Sequence, residues 1–349
     1  MVECIQTNVR GLVMNNDPIV IAGMGHEHPP YKIDNYFFES LDIESSAQWV
    51  EDRTGIRSRY SVLSPELIRK LRYQQANVAE LRKEGLIPGI DSMVEGPWKL
   101  ALARSSFSES MIDLLICGTS IPDYLIPANA SVIAAKLKLN CTAFDAQSAC
   151  SSFVTNLSIA KGLIRDNAAN CVGIFNAERY STYLDFSDRR SCVLFGDGAS
   201  CAVVSKGVGS PGLEVEDVII HSDPNGYDAV TIPVDGVFKQ NGARVQKFAV
   251  TKTCEVVDEI LAKNSLTVKD IKYFIGHQAN FRMLLSASTR LGFTENQHLY
   301  NVDTHGNQGA AGAPIVLSSH WERFNLGDRI ILAVVGSGLT WGAALLKRV

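Results

Sequence analysis

Charge, long apolar runs and paired cysteines are what this 349-residue chain has little of. Charged residues make up 20% of it, and a formal balance of -4 with a pI near 6.0 gives no global electrostatic reason to meet nucleic acid or a membrane surface. No apolar run approaches the ~20 residues that a membrane-spanning helix needs. The stretch from Met1 to Val13 carries an acid at Glu3 and no long apolar core of the secretory kind. Eight cysteines, at 4, 117, 141, 150, 171, 192, 201 and 254, include no CxxC pair and no cluster. These absences lead to the expectation of a soluble, cytoplasmic protein with reduced thiols. No glycine-rich stretch ends in GK[ST], so the glycines at 306, 309 and 312 read as backbone space-savers rather than a phosphate cradle. The histidines at 26, 28, 221, 298, 305 and 320 show no ligand spacing with cysteines or carboxylates, and no metal site is expected.

What is present is 46% hydrophobic residue, enough for one large core or two ordinary domains. Pro18 to Ala22 reads as a first strand that Gly23 and Gly25 break, and Asn35 to Val50 reads as a helix carrying Trp49. Ser64 caps a helix that starts at Pro65. From Arg57 to Glu84, seven Lys/Arg (57, 59, 69, 70, 72, 82, 83) face three Glu, a basic surplus that is usually a solvated face but here is a candidate for phosphates or an acidic partner. Met111 to Cys117 reads as a doubly covered strand and Gly173 to Phe175 as another. Ser191 to Val204 reads as a hairpin hinged at Gly196-Asp197-Gly198, with Asp197 capping the turn. From Leu213 a second series follows: strand, loop, a helix from about Phe248 to Asn264, the strand Tyr273 to Ile275, a helix through Leu291, a helix from Ala313 to Phe324, and two paired strands. Strands alternating with helices argue α/β layers. The two series have a similar order, with Cys150 closing a strand in the first and His277 in the second, so two similar halves sharing a central site are expected.

The stretch AFDAQSACSSFVTNLSI, residues 143–159, places Cys150 where a strand ends and an apolar helix begins, a position where the helix macrodipole favours a thiolate. Alone, the stretch reads more readily as that of a small core hydrophobe, which most buried cysteines are. Two further stretches set small or polar residues where plain packing would prefer branched apolar ones: GHQANFR around His277 and HGNQGAAGAP around Asn307. Cys, His and Asn in this order fit a papain-like protease poorly, because the CGSCW-type flank is missing. They fit acyl transfer better. There Cys150 takes an acyl group from a thioester, while the His277 imidazole and the Asn307 amide donate to a second thioester carbonyl and stabilise the enolate left when a malonyl group loses CO2.

Six stretches in order resemble the β-ketoacyl-acyl-carrier-protein synthase III family: DRTGIR at 52–57, AFDAQSACSSF at 143–153, LFGDGA at 194–199, HQANFR at 277–282, HGN at 305–307 and GLTWG at 338–342. The resemblance implies the thiolase fold, two similar βαβαβ-type halves stacked in α-β-α-β-α layers. The halves are residues 1–205, carrying the nucleophile, and residues 206–349, carrying His and Asn. It implies Cys150 as acylated nucleophile, His277 and Asn307 polarising the malonyl thioester, and an oxyanion hole from the N–H of Cys150 and of Gly336 or Gly338. Trp49 and Arg53 match positions that hold the coenzyme A nucleotide, and Arg282 and Lys247 match basic positions that dock the carrier protein. Arg290 corresponds to another, although its neighbour Thr289 replaces a basic residue. No permanently bound cofactor is implied; acyl-CoA and malonyl-carrier protein are substrates, and a homodimer is expected.

The departures carry information too. Thr182 replaces the family's second base-stacking arginine, leaving Arg179 as the nearby substitute, and about 63–90 is inserted. Ile126 is smaller than the aromatic side chain that a partner subunit usually places at the acyl pocket. Gln147, Ser151 and Ser152 replace small apolar residues, which suggests a longer or unusual acyl donor. Two other readings remain: transfer of the acyl group to an oxygen or nitrogen nucleophile with His277 as general base, and a silent subunit pairing with an active homologue.

Overall fold

The computed structural model describes residues 17–73, 78–207, 211–234 and 236–349; the readings placed on residues 1–13, Cys4 included, lie outside them. Nine strands form one sheet: β1 (Ile19–Glu27), β2 (Leu114–Cys117), β3 (Thr142–Asp145), β4 (Cys171–Glu178), β5 (Gly198–Lys206), β6 (Leu213–Ser222), β7 (Tyr273–Gly276), β8 (Arg329–Gly336) and β9 (Thr340–Arg348). Their order is β7-β8-β9-β6-β1-β5-β4-β2-β3. The seam is short: β1 meets β6 only at Val20–Glu214 and Ile21–Leu213.

Outward from that seam the two series repeat each other. β1, β5, β4, β2 and β3 in the first correspond to β6, β9, β8 and β7 in the second, and an isolated parallel bridge from Phe274 to His298 stands where β3 would be repeated. After β3 come Cys150 and the helix Ser152–Arg165; after His298 come Asn307 and the helix Gly309–Ser319. The topological counterpart of Cys150 is therefore Asn307. His277 instead closes β7, the counterpart of β2, which corrects the pairing of Cys150 with His277 read from element order.

Both helices are wrapped in one apolar cluster between the two series of strands, where Phe153, Leu157, Ala313 and Val316 meet Ile21, Ile116, Ile275 and Leu332. A second cluster covers the outer face of the first series, and a third lies under the helices Gly242–Lys263 and Phe281–Leu291. This is the α-β-α-β-α layering of the thiolase fold. Among the described residues no helix is long and apolar enough to cross a membrane.

Several local expectations change, each for a packing reason. β1 runs through Gly23 and Gly25, because their missing side chains let the backbone of helix Glu95–Arg104 approach: a Cβ would lie 2.1 Å from the Ala101 oxygen and 1.8 Å from that of Pro97. The helix expected over 35–50 is two helices, Asn35–Glu39 capped by Asp34 and Ala47–Thr54 capped by Ser46. Between them Leu41 and Ile43 are buried, while Asp42 and Glu44 take φ of 51° and 52°. The expected hairpin at 196–198 does not form. Asp197 is buried and accepts from Val62 N, Ser181 N and Ser181 Oγ, so its loop serves the interior and only β5 follows.

The basic run is also not one surface. Arg59 is buried, donates to Asn35 Oδ1 and lies over Phe38, with burial lowering its pKa to about 9. Arg57 pairs with Asp303 at 2.5 Å. Within the inserted stretch, Ile68, Leu81, Ile87 and Ile90 join the outer core of the first series.

Candidate active site

Cys150 stands on a tight turn between β3 and the helix Ser152–Arg165. The residue before it, Ala149, has φ 49°, a conformation that side chains with a Cβ seldom adopt and that the surroundings must hold in place. The serines do this. Ser152 Oγ accepts from Ser148 N and donates to Ala149 O, and Ser151 Oγ donates to Ser148 O and meets Thr340 Oγ1 at 2.6 Å. Thr340 comes from the second series, so the turn is fastened across the molecule. Gly336 completes it: a Cβ there would lie 3.0 Å from both Cys150 N and Ser151 N and 2.9 Å from Ser148 O.

Cys150, His277 and Asn307 line one cavity of about 230 Å³, together with Gly336, Ser337 and apolar residues such as Leu194, Phe195, Phe248 and Met283. Asn307 is held by its backbone, its N–H donating to Leu194 O and its carbonyl accepting from Gly196 N. Its side-chain oxygen accepts from Gly309 N at 3.0 Å, which leaves the amide NH2 to face the cavity. Burial lowers the His277 pKa to about 4, so the ring is neutral at pH 7, and Nδ1 has no hydrogen-bond partner among the described residues. A neutral imidazole with its proton on Nε2 is a donor that does not compete for a proton.

The Cys150 thiol corrects the expectation of a ready thiolate. Burial, and after it the negative charge of Glu178, push its pKa up to about 12, against the opposing pull of the Tyr180 hydroxyl and its own N–H. Burial at this position works against the ionisation that a helix start would favour.

Four residues that the sequence did not single out support this site. The Tyr180 hydroxyl lies 3.9 Å from Cys150 Sγ, its ring stacked on Phe195. Glu178 is buried, accepts from Ser120 N and Ala310 N, and is pushed up to about 8 by burial. Gln278 and Gln308, both buried, follow His277 and Asn307 directly. Gln278 Nε2 donates to Gly276 O while its oxygen accepts from Asn301 N and Val302 N; Gln308 Nε2 donates to Asp197 O and to His28 Nδ1. The dipeptides His-Gln and Asn-Gln were the available signal.

None of the expected substrate-holding residues Trp49, Arg53, Lys247 and Arg282 lines the cavity itself. Arg282 Nε donates to Asp52 O, tying the helix Phe281–Leu291 to the helix that carries Trp49 and Arg53. Arg53 is 5.8 Å and Arg189 4.9 Å from the Trp49 ring, so Arg189, unremarked in the sequence, flanks the indole. Arg179 does not take that role. It is buried, pairs with Asp123 and donates to Pro88 O, fastening the inserted segment. Lys247 and Arg282 are exposed; Val245, Gln246, Phe248 and Ala249 turn to the cavity instead. Gly338, with φ 129°, lines a neighbouring compartment rather than the main cavity.

Two of the histidines are neighbours: His28 stacks 4.7 Å from Tyr60 and lies 4.4 Å from His305. Among the described residues no group of three or more His, Cys, Asp or Glu is placed to hold a metal ion.

Comparison with known proteins identifies the family. Residues 144–224 match the model for 3-oxoacyl-[acyl-carrier-protein] synthase III, and 261–348 match the model for its C-terminal part. The chain is 34% identical over 339 residues to the β-ketoacyl-[acyl-carrier-protein] synthase III of Aliarcobacter butzleri, covering 91% of this chain and 94% of that one. The chain belongs to the 3-oxoacyl-[acyl-carrier-protein] synthase III family. The Rhodospirillum centenum β-ketoacyl-[acyl-carrier-protein] synthase III is 33% identical, with 94% and 98% covered. The crystal structure of the Aquifex aeolicus 3-oxoacyl-[acyl-carrier-protein] synthase III superposes with a TM-score of 0.84 at 29% identity, covering 94% of this chain and 99% of that one. The chain is accordingly an acyltransferase on the thiolase fold.

Proposed function

We propose that Cys150, His277 and Asn307 carry out a decarboxylative Claisen condensation between an acyl-CoA and malonyl-carrier protein. In the first half-reaction the Cys150 sulfur attacks the acyl thioester carbonyl, the coenzyme A sulfur leaves and takes up the proton, and an acyl-cysteine remains. The oxyanion is held by the Cys150 N–H and a second N–H from the turn that starts at Gly336, whose backbone packs on Cys150 N. In the second, the malonyl thioester oxygen accepts from His277 Nε2 and the Asn307 NH2. Loss of CO2 leaves an enolate whose carbon attacks the acyl-cysteine, and collapse of that adduct expels the Cys150 sulfur with a 3-oxoacyl thioester as product. The observation that carries this reading is the paired donor set: a neutral imidazole and an amide whose oxygen is already occupied, both on the cavity that holds the thiol.

Trp49, Arg53 and Arg189 would hold the nucleotide, and Arg282 and Lys247 would meet the carrier protein. Among the described residues no strand pairs with the outer edge of β3, and Leu125 and Ile126 are 81% and 86% exposed. Both features support a homodimer built across that edge. We divide the chain into halves at 205/206, each supplying one side of the cavity. Malonyl-carrier protein labelled in the malonyl carbons tests the reaction: CO2 release with a labelled 3-oxoacyl product is expected, and label retained without CO2 release would overturn it.

A further inference from the structure

The Cys150 sulfur has a neighbour that the reaction as written does not use. Among the described residues, the one side chain hydrogen-bonded to it is Tyr180, whose hydroxyl lies 3.9 Å from Sγ. Tyr180 follows β4 and is buried in an aromatic wall, its ring stacked 4.6 Å from Phe195 and set edge-on to Phe238 at 6.2 Å. The start of the helix Gly309–Ser319 closes on the same ring: a Cβ on Gly309 would lie 2.4 Å from Tyr180 Cε2. Packing from several directions therefore fixes where the hydroxyl points.

For packing alone, phenylalanine would serve. A hydroxyl adds nothing to stacked aromatic rings, and burying one costs free energy unless it is paired. The buried Ser120 hydroxyl adjoins the phenol, and Ser120 is held in turn through its backbone N–H, which donates to Glu178. A phenol oxygen accepts from such a neighbour while its own proton is given elsewhere, here to the sulfur. Burial, with the charges of Cys150 and Glu178 adding to it, holds the Tyr180 pKa well above its ordinary value, so the phenol keeps its proton and remains a donor. The sulfur needs one. Burial opposes charge on it, and a donor already aimed at the atom where charge builds offsets part of that cost.

We propose that Tyr180 is a catalytic residue of the acylation half-reaction, its hydroxyl donating a hydrogen bond to the Cys150 sulfur as negative charge builds there. The inference rests on the reading of Cys150 as acyl acceptor. The balance of the step is unchanged: Sγ bonds to the acyl carbon, the bond from that carbon to the coenzyme A sulfur breaks, the thiol proton ends on the coenzyme A sulfur, and the tyrosine keeps its own.

The test compares the full chain with Tyr180→Phe, which retains the ring and its stacking, and uses Cys150→Ala to correct for the other cysteines. Three rates are read at pH 7: adduct formation from acyl-CoAs of graded length by intact mass, alkylation of Cys150 by iodoacetamide, and CO2 release from malonyl-carrier protein by protein already acylated. Iodoacetamide has no thioester to orient, so its rate reports the sulfur alone. Loss of the hydroxyl should slow acylation and alkylation alike, each about tenfold, and leave CO2 release within about twofold, because decarboxylation puts no charge on the sulfur. All three rates falling together would make the hydroxyl a structural feature, acylation falling with alkylation unchanged would place its action on the thioester, and no change in any rate would leave it idle; each result overturns the proposal. No adduct on the unsubstituted chain with any donor would overturn the reading of Cys150 as acyl acceptor, and this proposal with it.

Discussion

Two helices, Ser152–Arg165 and Gly309–Ser319, occupy corresponding places in the two series, and their N-termini arrive at the same cavity with different chemistry. At the first, a strained residue, Ala149, and a set of serine hydroxyls present a sulfur. At the second, Asn307 turns its oxygen back to Gly309 N and presents an NH2. On the proposed reading, one architectural unit supplies a nucleophile on one side and a hydrogen-bond donor on the other. His277 adds a second donor from a strand that has no catalytic counterpart, since β2 ends in Cys117, which is buried in the core. Duplication of the scaffold does not require duplication of roles: what differs is which side chain stands at the helix start and which hydrogen bonds are already filled there.

Removing the sulfur should break the comparison most severely. Cys150→Ala is expected to give no acyl adduct by intact mass and to lower condensation at least about 10⁴-fold, because the donor side alone cannot hold an acyl group. Gly336→Ala comes next. Its methyl would press on Cys150 N and Ser148 O from the second series. Acylation should fall about 10²-fold and stability by about 1–3 kcal/mol, read from adduct kinetics and urea unfolding.

The effect that bears most sharply on the contrast between the sides is that of pH. With the Cys150 thiol at about 12, the thiolate fraction and hence acylation should rise about tenfold per unit from pH 6 to 9. With His277 at about 4, the ring stays neutral across that range. CO2 release by pre-acylated protein should therefore be flat from pH 6 to 8 and fall only as pH approaches 4, where the imidazole gains a proton. A bell centred between pH 6 and 7 for CO2 release would contradict this.

Much of this site was legible in the sequence, because its residues sit where apolar periodicity stops and small residues begin. Cys150, His277 and Asn307 were found that way, and the long strands showed as continuous apolar runs. What was not legible depends on contacts far apart in sequence. Gly23 and Gly25 looked like breakers because the helix that needs their missing side chains lies about 75 residues on. Arg179 looked available for a ligand because its acceptors, Asp123 and Pro88, come from distant loops. The thiol was expected to ionise because a helix start is visible in the sequence, whereas the desolvation that opposes ionisation is a property of the closed cavity. Gln278 and Gln308 read as ordinary polar neighbours until their backbone acceptors were in view.

The central claim is that the sulfur side and the donor side perform separable steps on one cavity. Asn307→Ala and His277→Ala, each assayed for both steps in one vessel with labelled acyl-CoA and labelled malonyl-carrier protein, test it most directly. The account predicts a Cys150 adduct that still forms to near one per chain, with CO2 release and 3-oxoacyl product reduced about 10²–10³-fold in each variant. Adduct and CO2 release falling together, or CO2 release untouched in both variants, would contradict it.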